Sequence, residues 1–332
     1  MATLATTALT LLDWAKRLDP DGAVPEIVEI LGQTNEILED AVFLEGNLPT
    51  GHRVVVRTGL PTVYWRALNA GVPPSKLTTA TVDETCGMLE AYSEVDKDLA
   101  ALNGNTSAFR LSEDRAHIEG MNQEFASTLI YGNEGSEPEA FTGFAPRYNS
   151  QSAANGDNII TDAATPDSTD NSSIWLIVWG PNTAHCIYPK GSSAGLQITD
   201  KGQVTAENID GSNGRAEIYR THYRWDCGLT VRDWRYVVRI NFDLENVIAA
   251  GTSGPVLAQL MAKALRRIPN LNMGRPVFYA SRSTLELMDL QAMEKTNMAF
   301  KSVEDAQGKF ITTFRGIPVK QCDAILNTES GI

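Results

Sequence analysis

A Gly-x-Ser-x-Gly sequence at residues 191–195 matches the nucleophile elbow of serine hydrolases. In such an elbow the serine lies between a strand and a helix that begins directly after it. The residues that follow Ser193 instead look extended over 196–199 and then reach a turn at Asp200-Lys201-Gly202. We therefore interpret Ser193 as a loop residue; a serine hydrolase would require it to react with a fluorophosphonate probe.

The histidines and cysteines form no recognisable metal or redox pattern. They are His52, His117, His185, His222, Cys86, Cys186, Cys227 and Cys322. His185 and Cys186 are adjacent, so in a strand they would point to opposite faces. Neither a phosphate-binding Gly-x-x-x-x-Gly-Lys loop nor a dinucleotide-binding glycine motif occurs. We therefore predict no catalytic residue, no cofactor and no metal, and a protein that is not an enzyme.

Composition places the chain among globular proteins. It has 332 residues, of which 42% are hydrophobic and 21% charged, with a mean hydropathy of -0.19. The longest continuously apolar run, residues 174–179, is far shorter than the ~20 residues of a spanning helix. We therefore expect no membrane segment, and the residue order near the amino terminus does not fit a signal peptide.

The net charge of -13 lies entirely in the first part of the chain. Residues 1–145 contain 22 acidic and 9 basic residues, whereas residues 146–332 contain equal numbers. A specific nucleic-acid binder would show a basic excess, because neutralising phosphates supplies most of its affinity. Two interpretations remain: an acidic face that aids solubility, or a surface that stays near a polyanion without binding it.

In the first half, apolar spacing predicts a helix over residues 25–42 and an amphipathic helix before it. Alternating residues over 52–58 and 62–68, separated by Gly59-Leu60-Pro61, predict a β-hairpin. Because two isolated strands are marginal in water, this hairpin must pack on something, either its own domain or a neighbouring subunit. Residues 112–131 predict a helix with Ser112 as its N-cap and Gly132 at its end.

The second half predicts a mixture of strands and helices. Residues 132–173 contain few large apolar residues and are expected to form an extended, loop-rich excursion. Strands are predicted over 174–179, 218–225 and 234–242, and helices over 254–268 and 283–298. A final hairpin is predicted over 309–320, with its turn at Arg315-Gly316.

This order of elements resembles the major capsid proteins of tailed double-stranded DNA phages, which have the Hong Kong 97-like fold. The chain is similar to the shell proteins of short-tailed podoviruses along nearly its full length. The resemblance depends on the hairpin 52–68, the helix 112–131 and the segment 141–148, Phe-Thr-Gly-Phe-Ala-Pro-Arg-Tyr. It implies an α+β fold with an amino-terminal arm, an extended hairpin loop, a peripheral domain with a long spine helix, and an axial domain.

The resemblance also implies a division of the chain and its working surfaces. The arm would span 1–45, the extended loop 46–80, the peripheral domain 81–150, the axial domain mainly 151–300, and returning strands 301–332. Intersubunit contacts are expected at Arg53, Val54, Val56, Arg57, Tyr64, Trp65 and Arg66. Acidic side chains facing the lumen are expected at Glu113, Asp114, Glu119 and Glu124. Lys76 and Asn327 form no recognisable cross-linking motif, so no covalent cross-link is predicted.

The implied function is a structural major capsid protein that self-assembles into the pentamers and hexamers of an icosahedral head. Expected partners are identical subunits, a portal, a scaffold or cement protein, and packaged double-stranded DNA bound non-specifically. The chain would be assembled in the bacterial cytoplasm and reside in the virion. Two alternatives stay open: an encapsulin-type compartment shell, and a phage tail or baseplate protein.

Overall fold

A computed structural model describes residues 32–102, 106–161, 170–207, 214–244, 246–247, 256–294, 300–304 and 310–332. The chain divides into two compact units. The smaller contains Gln33, Met88–Phe125 and Gly195–Asp226, and the larger contains Thr34–Gly87, Ala126–Ala194 and Cys227–Ile332. Three long elements contribute residues to both units.

The helices whose bounds the structure gives are α1 Ile37–Asp40, α2 Lys97–Ala101, α3 Thr106–Tyr131, α4 Phe144–Arg147, α5 Leu257–Arg267 and α6 Arg282–Glu294. Among them α3 is the longest, with 26 residues. The strands are β1 Phe43–Glu45, β2 Gly51–Gly59, β3 Thr78–Asp96, β4 Ile159–Thr161, β5 Asn171–Trp179, β6 Ala184–Tyr188, β7 Gln197–Glu207, β8 Arg215–Val231, β9 Val237–Asp243, β10 Arg275–Ala280, β11 Phe300–Glu304, β12 Phe310–Phe314 and β13 Ile317–Gln321.

The larger unit is built around β5, whose nine residues are all buried. It lies between β9 and β10 and pairs antiparallel with both, so that Leu176 is opposite Val238 and Phe278. Outside β10 follow β13, β12 and β11. A strand covered on both faces reads as a continuous apolar run, which is why the sequence 174–179 predicted this element correctly.

The two faces of this sheet pack on different partners. One face joins α5 and α6 in a core of aliphatic and aromatic side chains, to which α5 contributes Leu257, Leu260, Met261 and Ala264. On the other face, the rings of Trp175 and Trp179 lie about 6 Å from that of Phe144. The loop-rich segment after α3 is therefore fixed by its few apolar residues, which are all buried: Phe141, Phe144, Tyr148, Ile159 and Ile160.

Gly143 allows this segment to reach the end of α3. A Cβ atom there would lie 2.6–2.9 Å from the carbonyl oxygens of Thr128, Leu129 and Ile130. Its N–H also donates to the carbonyl of Gly132 at 2.8 Å. The close backbone approach requires glycine at this position.

The smaller unit pairs β7 antiparallel with the first part of β8 and includes the second half of β3. Phe109 of α3 packs with Val95 and Ala100, and the guanidinium of Arg110 lies 5.0 Å from the ring of Tyr219. These contacts explain why α3 begins at Thr106 rather than at Ser112. The predicted N-cap was wrong, because Ser112 lies within the helix, whereas the predicted end at Tyr131 is confirmed.

The prediction of the hairpin's second strand was also wrong. Residues 62–68 form no strand, and β2 pairs instead with β3, with Val54 opposite Val82. The missed signal is the β-branched run Thr78, Thr79, Thr81 and Val82, which favours a strand. Apolar alternation in 62–68 marks exposed residues of the connecting loop.

Other differences are smaller. The predicted helix 25–42 lies outside the described residues before residue 32; after it, the chain is irregular and then forms only α1 and β1. The amphipathic arm helix also lies outside them. α6 begins at Arg282, one residue before the predicted start, and is capped by Ser281, whose Oγ accepts the N–H of Thr284 at 3.3 Å. The last hairpin turns as predicted at Arg315 and Gly316, whose φ angles are 50° and 85°.

Candidate assembly surfaces

The loop between β2 and β3, residues 60–77, is exposed at every position. Its large apolar side chains include Trp65, whose exposed fraction is 104%, and Leu68, at 95%. The others are Leu60, Val63, Tyr64, Val72 and Leu77. So many exposed apolar side chains in one segment are typical of a surface that another molecule covers.

The strands that carry this loop are held by polar contacts. Arg53 of β2 makes a two-pronged ion pair with Asp83 of β3, with N–O distances of 2.6 and 2.7 Å, and this pair lowers the pKa of Asp83. Both side chains are half exposed, so the pair adds little stability by itself. The pair does fix the register of β2 against β3, the two strands that carry the loop.

A stronger contact is made by Glu84, in the first half of β3. Both guanidinium NH2 groups of Arg147 donate to the Glu84 carboxylate at 2.6 Å, and Glu84 is buried. Arg147 also donates to the carbonyls of Thr142 and Gly143 at 3.0 and 3.1 Å. A bidentate, partly buried pair of this kind is both strong and geometrically specific. It joins β3 to the segment 141–148.

The structure separates the predicted intersubunit residues into three groups. Arg57, Tyr64, Trp65 and Arg66 are exposed, and Val56 is half-buried. Arg53 is exposed but already paired within its own chain. Val54 is buried in its own subunit at 7% exposure, so little of its surface is available to another subunit.

The four predicted lumen-facing acids do not share one face of α3. Asp114 hydrogen-bonds Tyr223 and, together with burial, raises the pKa of that tyrosine; one of its carboxylate oxygens is buried. Glu119 accepts the N–H of Gln33 at 2.9 Å and the amide of Gln123 at 2.8 Å; these bonds lower its pKa although burial opposes them. Asp114 and Glu119 therefore make hydrogen bonds within their own subunit. Glu113 is half-buried and Glu124 is exposed.

A buried ion pair holds the carboxyl-terminal residues to the larger unit. The guanidinium of Arg239 donates to Glu329 at 2.9 Å, to Ser173 at 3.0 Å and to the carbonyl of Tyr148 at 2.9 Å. Glu329 also accepts hydrogen bonds from Tyr131 and Ser173. Burial and the Glu329 carboxylate raise the pKa of Tyr131, which stays a neutral donor.

A second buried carboxylate, that of Asp40, holds α1 in place. Asp40, at the end of α1, accepts the hydroxyl of Tyr279 at 2.8 Å and the ammonium of Lys320 at 2.9 Å. Arg275 lies 2.8 Å from it. These contacts hold the end of α1 against β10 and β13.

Two buried histidines lie near the start of β2. The rings of His52 and His185 are 6.2 Å apart, edge to face, and the guanidinium of Arg232 approaches His52 Nε2 at 3.4 Å. Burial, and then the charge of Arg232, lower the pKa of both; that of His185 falls to about 4. Both rings are therefore neutral near pH 7.

The residues considered first for chemistry do not converge. Ser193 is exposed in an irregular loop rather than on a strand–helix elbow. Within the described ranges, no three His, Cys, Asp or Glu side chains are placed to hold a metal ion. No helix there is long and apolar enough to span a membrane.

Comparison with known proteins identifies the family. The family model "Major capsid protein GP7" matches residues 19–332. The chain belongs to this family. A solved structure of bacteriophage Epsilon15 is 36% identical, with a TM-score of 0.78, and the match covers 100% of this chain and 99% of that chain. A search of curated proteins gives no match.

Membership of the GP7 family makes the chain a structural phage capsid protein of the virion shell, with the α+β Hong Kong 97-like fold. Two weaker structural matches are each 11% identical to this chain. The capsid of a native GTA particle has a TM-score of 0.43, and the match covers 67% of this chain and 96% of that chain. The SrpI encapsulin of Synechococcus elongatus PCC 7942 has a TM-score of 0.42, and the match covers 70% of this chain and 95% of that chain.

The buried anchors were missed by sequence reasoning. Arg147 lies in the segment that supported the resemblance, but its partner Glu84 is 63 residues earlier. Glu329 and Asp40 are ordinary acids in an acidic chain, and no local pattern marks them.

Proposed function

We propose that this chain assembles in pentamers and hexamers to close an icosahedral phage head around double-stranded DNA. The exposed loop of residues 60–77 is the observation that carries the proposal. In an isolated subunit, exposing seven large apolar side chains to water is energetically unfavourable. If the loop packed across a neighbouring subunit, these side chains would be buried.

The energetics fit an assembly built from repeated contacts. Fully burying one large apolar side chain contributes about 1.5–3 kcal/mol, so this loop contributes on the order of 10 kcal/mol before costs. Association costs about 4–15 kcal/mol, which consumes most of that gain in one isolated contact. In a closed shell each subunit contacts several neighbours, so the contacts reinforce one another.

The proposed division of the chain is the one that the resemblance to phage capsid proteins implies. Residues 1–45 would act as an arm on a neighbour, and 46–80 as the extended loop. Residues 81–150, with α3, would form the peripheral domain, 151–300 mainly the axial domain, and 301–332 the returning strands. Of the four acids proposed to face the lumen, Glu113 and Glu124 lie on one side of α3 and would face packaged DNA, which would be held without specific binding. A portal and a scaffold or cement protein complete the expected partners, with assembly in the host cytoplasm. The role is structural and requires no catalysis, cofactor or membrane.

The experiment is assembly of the purified full-length protein, followed by negative-stain microscopy and sedimentation. We expect wild-type shells, and we expect Trp65→Ser with Leu68→Ser to abolish them while leaving the melting temperature of the unassembled subunit unchanged, because both side chains are exposed. Met273→Ser, which removes an apolar side chain that is 45% exposed, is the control and should assemble. A wild-type protein that stays monomeric under all conditions contradicts the proposed function. Normal shells from the double variant contradict the role of the loop.

A further inference from the structure

A basic cleft on the larger unit is not used by any role described so far. It has a volume of about 500 Å³ and is lined by Gln259, Ala262, Lys263, Arg266, Arg267 and Arg315. Four of these six residues carry a positive charge and none carries a negative one. Arg267 is paired with the exposed Asp157 at 3.3 Å. Lys263, Arg266 and Arg315 form no ion pair within the described part of the chain.

The cations come from two elements that converge. Lys263, Arg266 and Arg267 are three and four positions apart on α5, so they share its solvent-facing side while Leu260 and Ala264 face the core. The negative end of the helix dipole accounts for bases in its last turn. It does not account for Arg315, which reaches the same cleft from the β12–β13 turn.

Arg315 occupies a backbone conformation that disfavours it. Its φ angle is 50°, in the left-handed region, at the first position of a two-residue turn. Asn, Asp and Gly are preferred there because they tolerate this conformation. The Arg315 guanidinium lies 5.5 Å from the ring of Phe314 and lines the same cleft as three other cations. A long cation held in such a backbone conformation beside other cations favours an anionic partner.

The larger unit also carries unpaired carboxylates on a neighbouring helix. Glu286 and Asp289 of α6 are exposed, and neither forms an ion pair among the residues that the structure covers. They are three positions apart, so they lie on adjacent turns of one helix face. Lys263 and Arg266 of α5 have the same spacing. Two helices from different subunits could therefore place these charges opposite each other.

We propose that the basic cleft of one subunit binds the Glu286 and Asp289 carboxylates of a second copy of this chain. The proposal rests on the proposed function, since it names a contact by which subunits associate. Different surfaces meet in such a contact, which makes it head-to-tail, and a head-to-tail contact that closes generates a ring. With 41 acidic against 28 basic residues, other copies supply the anions at highest local concentration in a shell. A nucleic-acid surface would present a longer basic stripe than this cleft.

Charge reversal in the full-length protein tests the contact. We expect Lys263→Glu with Arg266→Glu, and separately Glu286→Lys with Asp289→Lys, to raise the protein concentration needed for assembly by about ten-fold or more, because each places like charges together. Combining all four substitutions should return that concentration to within about three-fold of wild type. Lys190→Glu with Lys201→Glu makes the same charge change at other exposed positions and should assemble normally. Far-UV circular dichroism checks that each variant folds.

A second measurement does not depend on reversed charges. Cysteines placed by Arg266→Cys and Asp289→Cys should be joined between subunits by a short bismaleimide, giving a ladder on a denaturing gel that neither single variant gives.

Several results would overturn the contact. These are normal assembly of both reversed pairs, failure of the combined variant to recover, or absence of the ladder. Normal shells of the Lys263→Glu, Arg266→Glu variant that lose co-purified nucleic acid would assign the cleft to nucleic acid instead. In each of these cases wild-type shells would still support the proposed function, whereas wild-type protein that never assembles would overturn both proposals.

Discussion

The ion pair between Arg239 and Glu329 makes a quantitative prediction about stability. Both side chains are buried, at 5% and 6% exposure. Replacing Glu329 with Gln keeps the shape but removes the negative charge. Arg239 would then keep Ser173 and the Tyr148 carbonyl as hydrogen-bond partners, and the face of Trp175 at 5.2 Å, but it would have lost its counter-ion.

Removing one partner of a buried pair costs about 3–5 kcal/mol, because the remaining charge is left without compensation in the interior. We therefore expect Glu329→Gln to lower the free energy of unfolding by about that amount. With an unfolding entropy of about 2.1 cal/mol/K per residue, 332 residues give roughly 1.4 °C per kcal/mol, so the melting temperature falls by about 4–7 °C.

The assay is urea and thermal denaturation of the unassembled subunit, followed by circular dichroism. Glu137→Gln removes the same charge from an exposed turn and is the matched control, with an expected change within about 0.5 kcal/mol. Replacing both partners with apolar residues of similar volume, as in Arg239→Met with Glu329→Leu, should cost less than the single change. If Glu329→Gln unfolds within 1 kcal/mol of wild type, the pair does not hold the carboxyl-terminal residues as argued.

Two further predictions concern the buried histidines near the start of β2 and the Arg147–Glu84 ion pair. His185 has a folded-state pKa of about 4 against 6.5 in the unfolded chain, so the unfolded state binds the proton first as the pH falls. The free energy of unfolding should therefore be constant above about pH 7 and fall by on the order of 3 kcal/mol between pH 6.5 and 4. Urea denaturation across this range should show a smaller fall for His185→Gln. Equal falls in both proteins would contradict the low pKa of His185. Arg147→Lys keeps the charge but loses the bidentate geometry with Glu84, so we expect a loss of about 2 kcal/mol and faster amide hydrogen exchange over residues 141–148, with unchanged exchange as the contrary result.

Local patterns determined much of the fold. The apolar run 174–179 predicted the central strand, because a strand buried on both faces needs apolar residues at every position. Spacings of three and four residues predicted α5, and Arg315-Gly316 predicted the last turn, whose backbone conformation a glycine favours. The order of elements then supported the resemblance to phage capsid proteins, which the family match confirms.

Pairing and burial were decided by the tertiary structure. Residues 62–68 alternate like a strand, yet β2 pairs with β3 across a loop of eighteen residues, because the choice of partner depends on what lies beside each strand. Ser112 resembles an N-cap, but the contacts of Phe109 extend the helix past it. The acids Glu84 and Glu329 look like any others in a chain of net charge -13; only the fold brings each against an arginine 63 or 90 residues away. Alternation and capping are properties of neighbouring residues, whereas the partner of a buried charge is set by the path of the whole chain.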